Sequence, residues 1–356
     1  MENKDIKNKK SYSDKYIYSY SKNKAGTARN KLYVIGIIIS IIMGIIGSGF
    51  IYAYHKLDLI NYKPLENQEN ILENTDSSDS KDLLQESMVL NIALFGIDRR
   101  SADDNKSRSD SSMILSLDGR RKKIKFSSLM RDTWVEIPEH KSNRLNAAIA
   151  MGGESLAIRT IQKNFGIKID RYAIVDFESF KEIVDIIGGI DLSLSAKEAA
   201  YINGDLAYYK SNSPRLPVAD GTYHLDGEKT LSYSRARKVT TPEGLHDDYA
   251  RTYRQRRVLA TIISKMKTCN INQILNVIEK AGPYISTNLK KSEILSLSKN
   301  ALTYLGYKIE DFRIPTNDNV KGQNINGMDV LTIPNMKKAR YDLAKFIYED
   351  SLTEQK

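Results

Sequence analysis

Residues 32–54, "LYVIGIIISIIMGIIGSGFIYAY", run for 23 positions without a charged side chain. As a helix rising about 1.5 Å per residue, the run measures roughly 34 Å, enough to cross a bilayer core of about 30 Å. It exceeds the apolar region of a cleavable signal peptide, and no Ala-x-Ala-like site follows it. Tyr33, Tyr52 and Tyr54 stand at its ends, where interfacial aromatics are favoured. Residues 1–31 carry nine Lys/Arg and three acids, whereas residues 55–87 carry three lysines and eight acids. Basic flanks stay on the cytoplasmic side. The pattern predicts a single-pass plasma-membrane protein with its N-terminus in the cytoplasm. A basic tail (1–31) leads into a signal-anchor helix (32–54), an acidic extracellular linker (55–87) and an extracellular folded domain (88–356).

From Met88 onward, short apolar runs alternate with amphipathic stretches. "MVLNIALFGID" suits a strand buried on both faces. "SSMILSL" and "KIKFSSLM" follow as strands, the second after an Asp118-Gly119 turn. "NRLNAAIAMGGESLAIRTIQKNFG" has a helical period broken by Gly-Gly. "YAIVDF" reads as a strand, "ESFKEIVDII" as a helix closed by Gly188 and Gly189, and "IDLSL" as another strand. This alternation implies an α/β domain with a mixed central β-sheet flanked by helices on both faces. Cys269 is the only cysteine, so no disulfide within the chain supports the fold.

Three successive antiparallel strands would bring the end of the first, the start of the second and the end of the third to one sheet edge. Those positions hold Asp98, Asp110 and Arg131. Ligands bind at such strand ends in open α/β sheets. Two neighbouring acids repel, and a hard divalent cation relieves the repulsion. Taken singly, Asp98 and Asp110 read more readily as loop or turn carboxylates, and Arg131 with Asp132 as a local surface pair; the constellation is what points to a site.

Residues 232–257, "SYSRARKVTTPEGLHDDYARTYRQRR", hold six arginines and a lysine. Such density serves nucleic acid, an acidic membrane surface or a bound phosphate. From Tyr249 the stretch is helical, with an apolar stripe of Val258, Leu259, Ile262, Ile263 and Met266. At about 100° per residue, Arg251 and Gln255 fall inside the arc of that stripe and Arg254 at its border, while Arg256 and Arg257 point to the solvent flanks. A helix reading DNA or lying on lipid would segregate its arginines opposite the apolar face, so nucleic acid is not an expected partner. Arg235 and Arg237 would share one side of an extended chain. With Arg131 and Arg251 they could cradle a pyrophosphate, since guanidinium forks match phosphate oxygens. Internal salt bridges with Glu243, Asp247 and Asp248 are the alternative. Asp248 is expected to orient an arginine.

"LFGIDRR", "SRSDSSMILSLD", "SSLMRDTWVEIP", "RLNAAIAMGG", "HLDGEKTLSYSRARK" and "DDYARTYRQRRVL", in this order, resemble the LytR-CpsA-Psr family of cell-wall enzymes. The resemblance covers essentially all of residues 88–350 and the preceding anchor. It implies a phosphotransferase on the outer face of a bacterial membrane, mainly in Gram-positive organisms. Such an enzyme moves an anionic glycopolymer (teichoic acid, capsule or similar) from a polyprenyl-pyrophosphate carrier to a peptidoglycan sugar hydroxyl and releases polyprenyl phosphate. Mg²⁺ (or Mn²⁺) is the implied cofactor, and an apolar pocket between sheet and helices receives the lipid.

Carried onto this chain, the resemblance makes Asp98 and Asp110 the metal-associated pair. Arg131 corresponds to the arginine of the R-D-T motif, and Arg235 and Arg237 to those of Y-x-R-x-R. Arg251 and Gln255 belong to the R-x-x-R-Q helix, and Arg108 to a further basic position. Arg131 and Asp98 are the expected catalytic residues, with Asp98 the candidate general base. The chain departs from the family at Ala250, often Gly, and at Arg256, often Gln; the charged groups of the cradle are intact. Two rival readings remain: a hydrolase of the same lipid pyrophosphate, and a non-catalytic wall-polymer sensor or transcription attenuator. The sequence holds no helix-turn-helix pattern in support of the last.

Overall fold

The computed structural model describes residues 54–65, 83–98, 108–266, 268–300, 303–304 and 306–349. The expected tail (1–31), and the expected membrane span apart from Tyr54, lie outside these residues; among the described residues no helix is long and apolar enough to cross a membrane. Residues from Lys56 onward form one unit.

Strands β1 (Asn61–Tyr62), β2 (Val89–Ile97), β3 (Ser109–Asp118) and β4 (Lys123–Leu129) precede a small ladder of β5 (Trp134–Val135) with β6 (Asn143–Arg144). Helix α1 (Ala147–Phe165), β7 (Arg171–Asp176) and α2 (Phe177–Ile186) follow. Next come β8 (Ile190–Leu194), α3 (Ala196–Tyr208), β9 (Gly221–Leu225), α4 (Gly227–Arg235) and α5 (Asp247–Met266). The remaining elements are α6 (Ile271–Ala281), β10 (Ile285–Thr287), α7 (Lys291–Lys299), β11 (Lys308–Ile314), the hairpin of β12 (Lys321–Ile325) with β13 (Met328–Thr332), and α8 (Met336–Tyr348).

The central sheet runs β1-β10-β7-β2-β3-β4-β11. It is mixed, as expected: β2, β3 and β4 are antiparallel in succession, while β7 lies parallel to β2 and β11 parallel to β4. Several details differ from the sequence reading. β8 lies outside the central sheet and pairs antiparallel with β9 in a separate two-stranded sheet. The turn at Asp118-Gly119 is four residues long, since Asp118 pairs with Lys123, and its left-handed residue is Lys122 at φ 54°. Part of the segment expected as a linker is built into the fold: Asn61 and Tyr62 add a parallel edge strand beside β10, and Leu57 and Leu65 are buried. Two-residue strands are too short to show a period in sequence. The Gly-Gly interruption of α1 is real, with Gly153 at φ 66° and ψ −161°.

The two faces of the sheet are covered differently. Residues paired across strands share a face. Ala93 and Ile114, one such pair, are fully buried with Leu156, Ile161 and Phe165 of α1 and Leu343 and Ile347 of α8. The opposite face carries Leu94 beside Met113, and Leu115 beside both Ile92 and Phe126. On this face Leu90, Leu94, Leu115, Leu117 and Val175 are only half-buried. A second layer lies over it, with a core of its own that includes Val184 of α2 and Ile187 just after it, Leu192 of β8, Ile202 of α3, Tyr233 of α4 and Val258 of α5. Arg256 of α5 ties the layers together, its Nε 2.6 Å from Asp311 Oδ2 and its Nη1 3.2 Å from Ser128 Oγ.

This corrects the expected solvent-facing position of Arg256, and Arg257 is also drawn in, donating to Tyr233 Oη and the Ser193 carbonyl. A helical wheel registers only the helix's own apolar stripe. Here carboxylate and carbonyl partners on other elements stabilise the buried arginines. Arg254 is the extreme case, wholly buried with Nε and Nη2 on Glu198 Oε1 and two further bonds to the carbonyls of Ala236 and Val239. Arg254→Met would strand the buried Glu198 carboxylate and should cost about 3–5 kcal/mol. The fall in a chemical-denaturation midpoint checks this, and a loss no larger than that of an exposed lysine variant would contradict it.

Candidate active site

At the edge where β2 ends, the β2–β3 register slips: Gly96 pairs with Ser111 and Ile97 with Ser109. Asp110 is therefore the extra residue of a bulge, a device that re-aims side chains at sheet edges. Asp98 follows β2 directly, and Arg131 stands two residues past the end of β4. Arg131 Nη1 donates to Asp110 Oδ1 at 2.7 Å, so the predicted convergence across 21 residues occurs.

The first turns of α5 complete the cluster. Arg251 is 3% exposed, with Nη1 3.7 Å from Asp110 Oδ1 and Nη2 2.6 Å from Asp248 Oδ1. Asp248 Oδ1 also lies 3.9 Å from Arg131 Nε and 3.9 Å from Arg237 Nε. Asp248 thus sits among three guanidinium groups. Its first-turn position on α5 also favours a negative charge.

The close approach to Arg251 lies off a hydrogen-bonding direction. Both oxygens of Asp248, and Nε of Arg131 and of Arg251, are buried without hydrogen-bond partners. Burial dominates the titration of this pair. It pulls the Arg251 guanidinium down to about 10, partly offset by Asp248. It also raises the Asp248 carboxyl above its usual range, against the pull of Arg251 and Arg131. Donors left unpaired in a low-dielectric site are costly, and an anion placed among them would satisfy them.

Arg235 and Arg237 do not form the expected one-sided extended pair. Arg235 is the last residue of α4, and the chain becomes extended only at Ala236, so the two side chains diverge. Arg237 faces Asp248. Arg235 Nη2 is instead 3.9 Å from Asp98 Oδ2, and its guanidinium lies between two rings, 4.7 Å from the centroid of Phe177 and 5.2 Å from that of Tyr209. The four-arginine cradle is divided: three arginines surround Asp110 and Asp248, and the fourth stands with Asp98.

Arg108 is exposed at the head of β3, and Gln255 is half-buried one turn beyond Arg251. Sequence reasoning missed Arg144, whose Nη1 lies 3.2 Å from Asp132 Oδ1. Asp132 Oδ2 is in turn 3.5 Å from Arg131 Nε. Its only signal was its place in the "RLNAAIAMGG" stretch.

Asp98 and Asp110 could supply two hard carboxylate donors. That set suits Mg²⁺, which takes one or two carboxylates together with waters and substrate phosphate oxygens. Among the described residues, no group of three or more His, Cys, Asp or Glu is arranged to hold a metal by itself.

Buried arginines with unpartnered Nε donors thus stand at the strand edge of a mixed α/β domain. Residues 54–345 match the LytR_cpsA_psr family, and the chain belongs to that family. It is 31% identical over 288 residues to the polyisoprenyl-teichoic acid–peptidoglycan teichoic acid transferase TagU of Bacillus cereus, covering 80% of this chain and 86% of that one. The crystal structure of B. subtilis TagV superposes with a TM-score of 0.56 at 27% identity, over 74% of this chain and 98% of that one. The fold is also shared with YwtF (TagT), solved with bound octaprenyl pyrophosphate, at a TM-score of 0.55 and 22% identity over 74% of this chain and 94% of that one.

Because burial raises the Asp248 carboxyl, an anion bound beside it should raise it further and draw a proton to it. Inorganic pyrophosphate should therefore bind the full chain more tightly as pH falls toward that raised range, beyond the titration of pyrophosphate itself. Asp248→Asn should remove this extra dependence in a calorimetric titration, and identical pH profiles for the two proteins would contradict the placement of the anion.

Proposed function

We propose that this protein is a membrane-anchored phosphotransferase. It moves an anionic glycopolymer, teichoic acid or a related wall polymer, from a polyprenyl-pyrophosphate carrier to a sugar hydroxyl of peptidoglycan. The observation that carries the reading is the pair of buried, unpartnered Nε groups on Arg131 and Arg251, set at the rim of a half-open apolar face. A ligand with a doubly charged phosphate head and a long hydrocarbon tail matches both. Leu94 and Leu115, half-buried on that face, offer apolar surface to the tail. The transferase names of the TagU and TagV relatives support the same reaction. The uncharged run over 32–54 and the flanking charge asymmetry support an anchor that leaves this domain on the outer surface.

In this reading Arg131, Arg237 and Arg251 hold the pyrophosphate and stabilise the charge that grows on its oxygens, with Arg235, Arg108 and Gln255 extending the contact. Asp248 keeps the guanidinium groups oriented. The acceptor oxygen forms a bond to the sugar-bearing phosphorus, and the bond from that phosphorus to the bridging oxygen breaks. Polyprenyl phosphate leaves with the bridging oxygen. Asp98, at the same strand edge and beside Arg235, takes the proton of the attacking hydroxyl. Mg²⁺ held by Asp98 and Asp110 would offset phosphate charge and improve the leaving group. The carrier's own pyrophosphate bond supplies the driving force, so no nucleotide is needed.

Arg131→Ala and Asp98→Ala, each checked for native circular dichroism, should lower release of polyprenyl phosphate from a lipid-linked polymer at least about a hundredfold. Unchanged turnover would overturn the assignment. Labelled carrier incubated with and without peptidoglycan separates transfer from hydrolysis: label on the glycan supports the transferase, and the same free product in both samples supports the hydrolase. Chelation of divalent ions should reduce the rate, with recovery on adding Mg²⁺ or Mn²⁺.

A further inference from the structure

Beside the arginine cluster lies a second hollow that the reading above does not use. It is a cleft of about 440 Å³ lined from α2, α3 and α4, and it shares Asp98 and Arg235 with the reactive edge. Its size falls within the range of about 300–1,000 Å³ usual for small-molecule sites. Four carboxylates line it (Asp98, Glu178, Asp205 and Glu228) against two cations, Lys181 and Arg235. This balance is opposite to that of the basic chain around it. A polyanionic polymer would be repelled here, whereas a ligand rich in neutral hydroxyl and amide groups would find acceptors.

Two further features point to a ligand of that kind. Ser232 lines the cleft and is 2% exposed, yet its Oγ has no hydrogen-bond partner. A buried hydroxyl left unpaired in a native fold calls for a partner, and none of the surrounding described residues supplies one. The aromatic groups are the second feature. Phe177 and Tyr209 line the cleft, and Tyr209 is 57% exposed. Tyr208 beside it is 79% exposed, with the two rings edge to face at 5.0 Å. Exposed aromatic faces next to carboxylates suit pyranose rings: the C–H face of the sugar stacks on the ring while its hydroxyls donate to the acids.

We infer that this cleft is the acceptor subsite, which takes an uncharged pyranose unit of the peptidoglycan glycan strand and presents its hydroxyl at Asp98. The assignment rests on the transferase reading and adds to it a division of labour. The anionic donor occupies the arginine side of Asp98, and the neutral acceptor occupies the acidic side. Arg235, held between Phe177 and Tyr209, marks the boundary between them.

The test uses the full chain in nanodiscs, a polyprenyl-pyrophosphate-linked anionic saccharide as donor and a soluble peptidoglycan tetrasaccharide as acceptor. Tyr209→Ala and Asp205→Asn alter partly exposed side chains and should preserve the circular dichroism spectrum. Each should raise the KM for the tetrasaccharide about tenfold more than the KM for the donor, and Tyr209→Phe should restore it. A rise confined to the donor KM would assign the cleft to the donor's own first sugars and overturn the inference. Equal KM values in variant and parent would overturn it as well. Saturation-transfer NMR with an N-acetylglucosamine tetramer, in the absence of donor, reads the cleft independently of turnover. Contact seen in the parent and lost in Tyr209→Ala would support the subsite even in a chain that failed to cleave the donor. Contact unaffected by Tyr209→Ala, in a chain that does cleave it, would reject the subsite and leave the transferase reading in place.

Discussion

Arg251 is an ion almost wholly removed from water, and an uncompensated charge in that position would cost several kcal/mol. The sheet edge is organised around that constraint. The bulge at Asp110 aims one carboxylate at Arg131 and Arg251, and the first turn of α5 supplies a second in Asp248. The compensation is incomplete by design of the geometry: charges are close, yet the Nε donors and the oxygens of Asp248 lack directed partners. Coulomb attraction holds these groups together, while their unspent hydrogen-bonding capacity remains for a ligand. A fully satisfied network would have been a structural ion-pair cluster with nothing left to bind.

The same division appears one layer out. Arg254 and Arg256, from the same helix, do have directed partners in Glu198, two carbonyls, Asp311 and Ser128. They fix α5 against the chain around residues 236–239 and against the sheet. Arg251 and Arg237 are thereby held at the edge by elements that their own contacts do not need to stabilise. Rigid support of this type allows charged groups to meet a phosphate without reorganising.

Much of this was readable from the residues alone, and the limits have physical causes. Apolar runs separated by a polar loop and an Asp-Gly turn identified β2, β3 and β4, and antiparallel succession then placed Asp98, Asp110 and Arg131 at one edge. The arc of α5 located Arg251 correctly, because its neighbours on the wheel are the core-facing residues. Arg256 was misjudged because its partner, Asp311, lies 55 residues later on β11, beyond any periodicity. The pairing of Arg235 with Arg237 failed because α4 extends through Arg235, so a two-residue repeat was read where a helix ends. Asp110 appeared in sequence as an ordinary strand-start residue; its orientation depends on a register slip that only the paired strands reveal. The aromatic pair enclosing Arg235 comes from α2 and from the end of α3, and no local pattern could join them.

The central claim is that guanidinium groups from separate elements meet one diphosphate at the rim of the apolar face. A crystal structure of the full chain with polyprenyl pyrophosphate tests it most directly. Phosphate oxygens within hydrogen-bonding distance of Nε of both Arg131 and Arg251, with the tail lying along Leu94 and Leu115, are the expected result. A diphosphate bound elsewhere, with those two Nε groups still unpartnered, would contradict the account.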